Sequence, residues 1–102
     1  MRVLTAGFIV SFGGPILNVH PSLLPSFPGM HAQRQALAAG VRWSGATVHL
    51  VDSGVDTGRI VLQEPVEVMG DDTEETLSAR ILEAEHRIYP RGLDLIARGE
   101  GR

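Results

Sequence analysis

The stretch NVHPSLLP, residues 18–25, decides how the rest of the chain is arranged. The apolar pair Ile16-Leu17 leads into it, and an amide, an imidazole and a hydroxyl follow at Asn18, His20 and Ser22. An apolar run of this kind is typical of a buried strand, and the prolines prevent the strand from continuing. Open α/β sheets place their ligands at such strand ends. We therefore expect an active-site edge at residues 18–25.

The composition is that of one folded globular domain. The chain has 102 residues, of which 43% are hydrophobic and 21% are charged, as in ordinary soluble proteins. Its net charge is -3, so the chain lacks the excess of basic residues typical of a protein that binds nucleic acid or an acidic membrane surface. The absence of cysteine excludes disulfides and thiolate metal sites and fits a cytoplasmic location. No apolar run is long enough to span a membrane, so neither nucleic acid nor membrane is a predicted partner.

Local patterns predict three helices and three strands. Glycines supply helix stops at Gly13-Gly14 and Gly40, and Thr73 with Thr76 offers capping hydroxyls. Pro65 predicts an edge strand or a bulge, and Pro90 predicts a break or kink in the last helix. The last two strands are expected to form an antiparallel hairpin around a turn-rich loop. The predicted helices cover residues 5–12, residues 31–39 and a long segment opened by residues 71–75, and the predicted strands cover residues 15–19, 46–51 and 59–68.

The first predicted strand lacks a neighbour on one side. A strand buried on both faces needs partners at both edges and cover on both faces, and the predicted elements upstream supply no second strand. The chain also has no glycine-rich phosphate-binding loop ahead of this strand. These features predict the second half of a larger α/β domain.

Asn18 and His20 are the strongest candidates for chemistry. They lie two residues apart on an extended stretch, so their side chains share one face. Asp56, in the glycine-flanked loop, is a candidate carboxylate that would hold His20 as an imidazolium. An amide donor and an imidazolium suit the stabilisation of an oxyanion in acyl transfer. Alternatively, Asn18 caps a turn and His20 is a hydrogen-bonded loop histidine, and the residues by themselves leave both interpretations open.

The remaining polar residues give weaker signals. A Ser-His pair two residues apart at a proline is not a usual nucleophile arrangement, so Ser22 is predicted to be a structural hydroxyl. His49 shares a strand face with Thr47 and is expected to be a packed, hydrogen-bonded histidine. Glu85 and His86 lie on the long helix, where they could face the cleft, although a solvated face is the default. The histidine spacings are not those of metal ligands, so no metal is predicted.

Longer motifs then carry a resemblance to a known family. Residues 18–37 read NVHPSLLPSFPGMHAQRQAL, residues 45–68 read GATVHLVDSGVDTGRIVLQEPVEV, and residues 83–90 read EAEHRIYP. Together they resemble the glycinamide ribonucleotide formyltransferases of purine biosynthesis, over residues 1–97. The motif N-x-H-P-S-x-L-P is shared with methionyl-tRNA formyltransferases and formyltetrahydrofolate deformylases. The continuation F-P-G-x-H-A-x-R-Q-A-L points to the purine enzymes.

The resemblance implies an α/β fold, the C-terminal part of a formyltransferase-type three-layer sheet. That sheet would be mixed, with an antiparallel hairpin, and the family's N-terminal Rossmann-like nucleotide-binding half would be absent. Residues 1–102 would form a partial formyltransferase domain that holds the catalytic and folate-binding half. We expect such a chain, taken alone, to be marginally folded, to transfer little, and to self-associate through an exposed sheet edge.

The implied reaction moves a formyl group from the co-substrate 10-formyltetrahydrofolate to the amine of glycinamide ribonucleotide, two small molecules, without a metal. Asn18 and charged His20 would stabilise the oxyanion, and Asp56 would keep His20 charged and assist proton transfer. A deformylase-like hydrolase and an inactive folate-binding fragment are the alternatives. The residues implied for folate binding are Met1, Arg2, Leu4, Ile16, Val51, Asp52, Ser53 and Val55, and those implied for substrate binding or support are Thr47, His49 and Glu85.

Overall fold

The computed structural model describes residues 2–4, 7–11, 16–51 and 57–99. Within these ranges the elements are, in chain order, β1 (Arg2–Leu4), β2 (Gly7–Ser11), β3 (Ile16–His20), α1 (Ala32–Ala39), β4 (Trp43–Leu50), β5 (Ile60–Glu67) and α2 (Glu74–Ala97). The strands form one sheet in the order β1-β2-β3-β4-β5. Each neighbouring pair is antiparallel.

Alternation along β3 sorts its side chains onto two faces. Leu17 and Val19 are fully buried in an apolar core that they share with residues of α2. Asn18 and His20 lie on the opposite face, because successive side chains of a strand alternate. Burial of one aliphatic side chain of this size stabilises a fold by about 1.5–3 kcal/mol. The helix-side face of β3 therefore contributes stability, and the other face is left for polar groups.

Helix α2 packs closely against the sheet through a glycine. A Cβ added at Gly92 would lie 2.8 Å from Cγ1 of Val48 on β4, so with a side chain there the Val48 side chain or one of the two elements would have to move. The helix runs from Glu74 to Ala97 through Pro90, so of the predicted break or kink the break is wrong and the kink stays a prediction. Pro90 is exposed, whereas Ile88 before it and Ile96 after it are buried, so packing of the apolar stripe outweighs the backbone bond that a proline removes.

The start of α2 is built as the sequence predicts. Thr73 and Thr76 form a reciprocal capping box, which satisfies two backbone donors that the helix leaves unpaired. The Arg80 guanidinium donates to both carboxylate oxygens of Asp72, at 2.8 and 2.5 Å. With a further bond from Thr76, it holds the pKa of Asp72 well below its usual range. Arg80 also donates to the Glu67 carbonyl at 2.8 Å and so ties the helix start to the end of β5.

Most predicted elements downstream of residue 15 are confirmed. Strands predicted at residues 15–19, 46–51 and 59–68 are β3, β4 and β5, and the last two form the predicted antiparallel hairpin. The helix predicted at residues 31–39 is α1. Pro65 lies in β5, which is an edge strand, as the missing amide donor of proline requires. Strand β4 begins earlier than predicted, because its first residues pair with the end of β5.

The helix predicted at residues 5–12 is wrong, because residues 7–11 form strand β2. An isolated helix of this length is marginal in water, whereas β2 pairs with β1 on one side and β3 on the other. The missing neighbour of β3 is thereby corrected as well, since β3 lies between β2 and β4. Self-association through an exposed edge of β3 is therefore no longer expected. Self-association through another edge of the sheet stays a prediction.

The fold class is α/β as predicted, but the sheet of the described strands is antiparallel rather than mixed. Helix α2 contacts β3, β4 and β5, and α1 contacts α2. Across the ranges that the structure describes, no helix combines the length and apolar character needed to cross a bilayer.

Candidate active site

The candidate site begins where β3 ends at His20. Residues 21–31, which we call the proline segment, follow directly and contain Pro21, Pro25 and Pro28. A backbone bond of 2.9 Å from the Ser22 amide to the His20 carbonyl turns the chain at once. The Ser22 hydroxyl donates to the Ser26 carbonyl at 2.5 Å and also contacts the Phe27 carbonyl at 3.3 Å. Ser22 is therefore a structural hydroxyl within the proline segment.

Asn18 is buried with one polar atom left over. Its Nδ2 lies 3.4 Å from Nε2 of His49, the residue opposite it on β4. His49 Nδ1 lies 3.1 Å from the Leu50 carbonyl, which can only accept, so Nδ1 carries a proton and Nε2 of the neutral ring accepts from Asn18. The Asn18 Oδ1 is buried and has no hydrogen-bond partner among the described residues. A buried, unpartnered amide oxygen costs about 1–3 kcal/mol and marks a place where a ligand could supply the missing partner.

His20 is fully buried, and its hydrogen bond to the proline segment restricts its chemistry. Its Nε2 lies 2.9 Å from the Phe27 carbonyl, and because a carbonyl only accepts, Nε2 carries a proton. The other ring nitrogen, Nδ1, can then donate only when the ring is an imidazolium. Phe27 itself has a φ of 52°, a left-handed conformation that non-glycine residues rarely adopt. Backbone held in such a conformation is common at functional sites.

The structure brings Asn18, His20, Thr47 and His49 together. Asn18 is opposite His49 and His20 is opposite Thr47 in the β3–β4 register, and all four side chains are buried. Asp56, the third predicted catalytic residue, lies outside the described residues, and so do four of the residues implied for folate binding. Those four are Met1, Asp52, Ser53 and Val55.

Thr47 joins the sheet to the proline segment. Its Oγ1 donates to the Ser22 carbonyl at 2.7 Å and accepts from the Leu24 amide at 3.1 Å. Gln63 of β5 adds a second link, because its Nε2 donates to Thr47 Oγ1 at 3.0 Å and to the Leu24 carbonyl at 2.9 Å. No motif in the sequence marks Gln63 as a site residue. Its position in a strand placed it on the sheet, but nothing local indicated a contact with a segment 39 residues away.

Two residues implied for folate binding are neighbours in the structure. The Val51 amide donates to the Ile16 carbonyl at 2.8 Å, and Val51 is partly exposed. Arg2 and Leu4 lie in β1, where Arg2 is opposite Ile9, and Ile9 is opposite Asn18. Arg2 therefore belongs to the same cross-strand row as Asn18, two strands away.

Glu85 is buried on α2 instead of lying on the solvated helix face that is the default for such a residue. Only 8% of its surface is exposed, and among the described residues its carboxyl has no hydrogen-bond or ion-pair partner. Burial raises its pKa to about 7. Its neighbour His86 is exposed. A buried carboxyl with a raised pKa is a recognised sign of a functional position.

The described residues show no group of three His, Asp or Glu side chains that could hold a metal ion. With this geometry in place, comparison with known proteins gives a family match. A family model for formyl transferases matches residues 1–93. The chain belongs to the formyl transferase family.

The relatives and the similar solved structures include purine-biosynthesis proteins. The chain is 52% identical over 99 residues to the trifunctional purine biosynthetic protein adenosine-3 of Drosophila melanogaster, covering 97% of this chain and 7% of that protein. It is 54% identical over 97 residues to the phosphoribosylglycinamide formyltransferase of Mycobacterium tuberculosis, covering 95% of this chain and 45% of the relative. The crystal structure of glycinamide ribonucleotide transformylase 1 from Symbiobacterium toebii superposes with a TM-score of 0.80 at 59% identity, over 81% of this chain and 39% of that one. The predicted resemblance is thus confirmed, and the chain spans less than half the length of these relatives.

Proposed function

We propose that residues 1–102 form the catalytic and folate-binding part of a phosphoribosylglycinamide formyltransferase. The donor would be 10-formyltetrahydrofolate and the acceptor the amine of glycinamide ribonucleotide. The observation that carries the proposal is the buried pair Asn18 and His20 at the end of β3, with one amide oxygen unpartnered among the described residues. High identity to enzymes named for this reaction supports it.

The proposed chemistry is a direct acyl transfer. The lone pair of the amine nitrogen attacks the formyl carbon, a carbon–nitrogen bond forms, and the formyl oxygen becomes an oxyanion. When the carbonyl re-forms, the bond from the formyl carbon to the folate nitrogen breaks. The acceptor nitrogen loses one proton and the departing folate nitrogen gains one, so atoms and charge balance.

In this scheme Asn18 would stabilise the oxyanion through the Nδ2 hydrogen that is not directed at His49, and His20 would do so beside it. His20 Nε2 donates to the Phe27 carbonyl, so any donation from Nδ1 requires the imidazolium form. Asp56 would favour that form through its negative charge and, with a water molecule, would accept the amine proton. Donors placed where negative charge develops are worth about 10²–10³ in rate.

The binding residues are assigned as part of the same proposal. Ile16 of β3 and Val51, which directly follows β4 and donates its amide to the Ile16 carbonyl, would form an apolar wall for the folate. Thr47 and His49 would support Asn18 and His20, and Glu85 would contact the nucleotide amine or ribose. The remaining residues assigned to the folate are Met1, Arg2, Leu4, Asp52, Ser53 and Val55.

A product assay tests the proposal. The chain is assayed alone and joined in one polypeptide to the part of the Mycobacterium tuberculosis relative that it does not span, with formyl folate and glycinamide ribonucleotide as substrates. We expect formylated nucleotide from the joined polypeptide and little from the chain alone, and in the joined polypeptide a loss on the order of 10²–10³ in turnover for Asn18→Ala and for His20→Ala. Near-normal turnover by either variant would contradict the assigned roles. Release of formate without formylated nucleotide would indicate a deformylase instead.

A further inference from the structure

Two glutamines outside the proposed catalytic set bind the proline segment from different elements. Gln63 of β5 donates through Nε2 to the Leu24 carbonyl at 2.9 Å and to Thr47 Oγ1 at 3.0 Å. Gln35 of α1 donates through Nε2 to the Met30 carbonyl at 2.9 Å and to the Pro28 carbonyl at 3.1 Å. A side-chain NH₂ group has two hydrogens, so each glutamine donates both of them, one to each acceptor. Gln35 gives both bonds to the proline segment, whereas Gln63 gives one to the segment and one to Thr47 of β4.

The two contacts flank the residue that meets His20. Gln63 holds Leu24, three residues before Phe27, and Gln35 holds Pro28, the residue directly after it. Between them, Phe27 has a φ of 52° and its carbonyl lies 2.9 Å from Nε2 of His20. A left-handed phenylalanine is disfavoured by itself and persists only when its surroundings hold it. The two glutamines supply fixed points on either side.

We propose that Gln35 and Gln63 are positioning residues that hold the Phe27 carbonyl against Nε2 of His20. They act through the proline segment, since their hydrogen bonds go to Pro28, Met30, Leu24 and Thr47. Their effect on catalysis is to keep the His20 Nε2 proton bound to a fixed acceptor, so that the orientation of the ring and the direction of Nδ1 do not vary. This inference deepens the proposed function, and its catalytic consequence rests on that function. The clamp, by which we mean the hydrogen bonds from Gln35 and Gln63 that fix the proline segment around Phe27, does not depend on it.

Methionine variants test the clamp at nearly constant side-chain length. Gln35→Met and Gln63→Met each remove both donated bonds. Gln33→Met is the matched control, because Gln33 lies on the same helix as Gln35 and makes no side-chain hydrogen bond with the described residues. Gln63→Glu adds a donor-specific variant, since a carboxylate at this position would face the Leu24 carbonyl without a hydrogen to donate. Thermal unfolding of each variant separates loss of fold from loss of position.

The decisive measurement is hydrogen exchange at His20 Nε2, followed by NMR of the ¹⁵N-labelled full chain. Because one lost hydrogen bond is worth about 0.5–1.5 kcal/mol, exchange in Gln35→Met and Gln63→Met should rise by up to about tenfold. Exchange in Gln33→Met should match the wild type. In transfer assays, kcat should fall between about 10- and 100-fold with KM within about twofold, as for a misplaced catalytic group.

Equal exchange at His20 Nε2 in all three methionine variants would overturn the proposal. If a variant fails to fold, the wild-type chain still decides, because the side-chain NH₂ groups of Gln35 and Gln63 should exchange more slowly than that of Gln33, and equal rates would also overturn it. If the wild-type chain joined to the remaining part of the relative transfers no formyl group, the proposed function fails, while the exchange measurements still settle whether the clamp exists.

Discussion

The two faces of β3 are equally buried and chemically opposite. Leu17 and Val19 are 0% exposed and pack against α2, whereas Asn18 and His20, at 7% and 0%, lie among polar groups on the other face. Burial of the first pair lowers the free energy of the fold. Burial of the second pair raises that free energy in part, because an amide oxygen is left without a partner among the described residues. The contrast separates a face whose burial contributes stability from a face that buries polar groups, one of them without a partner among the described residues.

Leu17→Ala probes the helix-side face and should have the largest effect on stability. Truncation removes apolar contacts and leaves a cavity between β3 and α2, so the free energy of unfolding should fall by about 2–5 kcal/mol. Denaturant titration followed by circular dichroism measures the change. A fall below about 1 kcal/mol, typical of a surface position, would contradict the conclusion that the helix-side face of β3 contributes stability.

Glu85 introduces a buried polar group on α2 and should link stability to pH. Burial raises its pKa from 4.5 to about 7, so in this interval the folded chain keeps a proton that the unfolded chain has lost. Its contribution is therefore fully present below about pH 4.5 and declines as the pH rises through about 7. The Glu85→Gln variant does not titrate at this position. Relative to it, the free energy of unfolding of the wild type should fall by on the order of 1–3 kcal/mol across this range. Denaturant midpoints of both proteins at several pH values measure this, and parallel pH profiles would contradict it.

Asn18→Leu probes the polar face and should have the smallest effect on stability. Leucine is similar in size, and the substitution removes both the 3.4 Å bond to His49 and the unpartnered oxygen. These effects oppose each other, so the free energy of unfolding should change by less than about 1 kcal/mol. Formyl transfer under the proposed function should nevertheless be lost. The same titration together with the product assay measures both quantities, and a destabilisation as large as that of Leu17→Ala would show that Asn18 is a structural residue.

Local patterns were sufficient for much of the fold. Apolar, β-branched runs bounded by prolines and glycines predicted β3, β4 and β5, and the acidic, threonine-capped start predicted α2. They failed at residues 7–11, where a short apolar run fits either a helix or a strand. There the choice was made by pairing with β3, and no local pattern contains that partner.

The motif residues Asn18, His20, Thr47 and His49 could be named from the sequence, because strand alternation and family resemblance depend only on neighbours in the chain. The sequence could not predict which carbonyl accepts from His20, that Gln35 and Gln63 hold the proline segment, or that Glu85 is buried. Gln63 reaches residues 16 and 39 positions away, and such bonds exist only after strands and segments have packed. Side-chain identity was written in the sequence, whereas hydrogen-bond partners and solvent exclusion, which set the chemistry of His20 and Glu85, were decided by the tertiary structure.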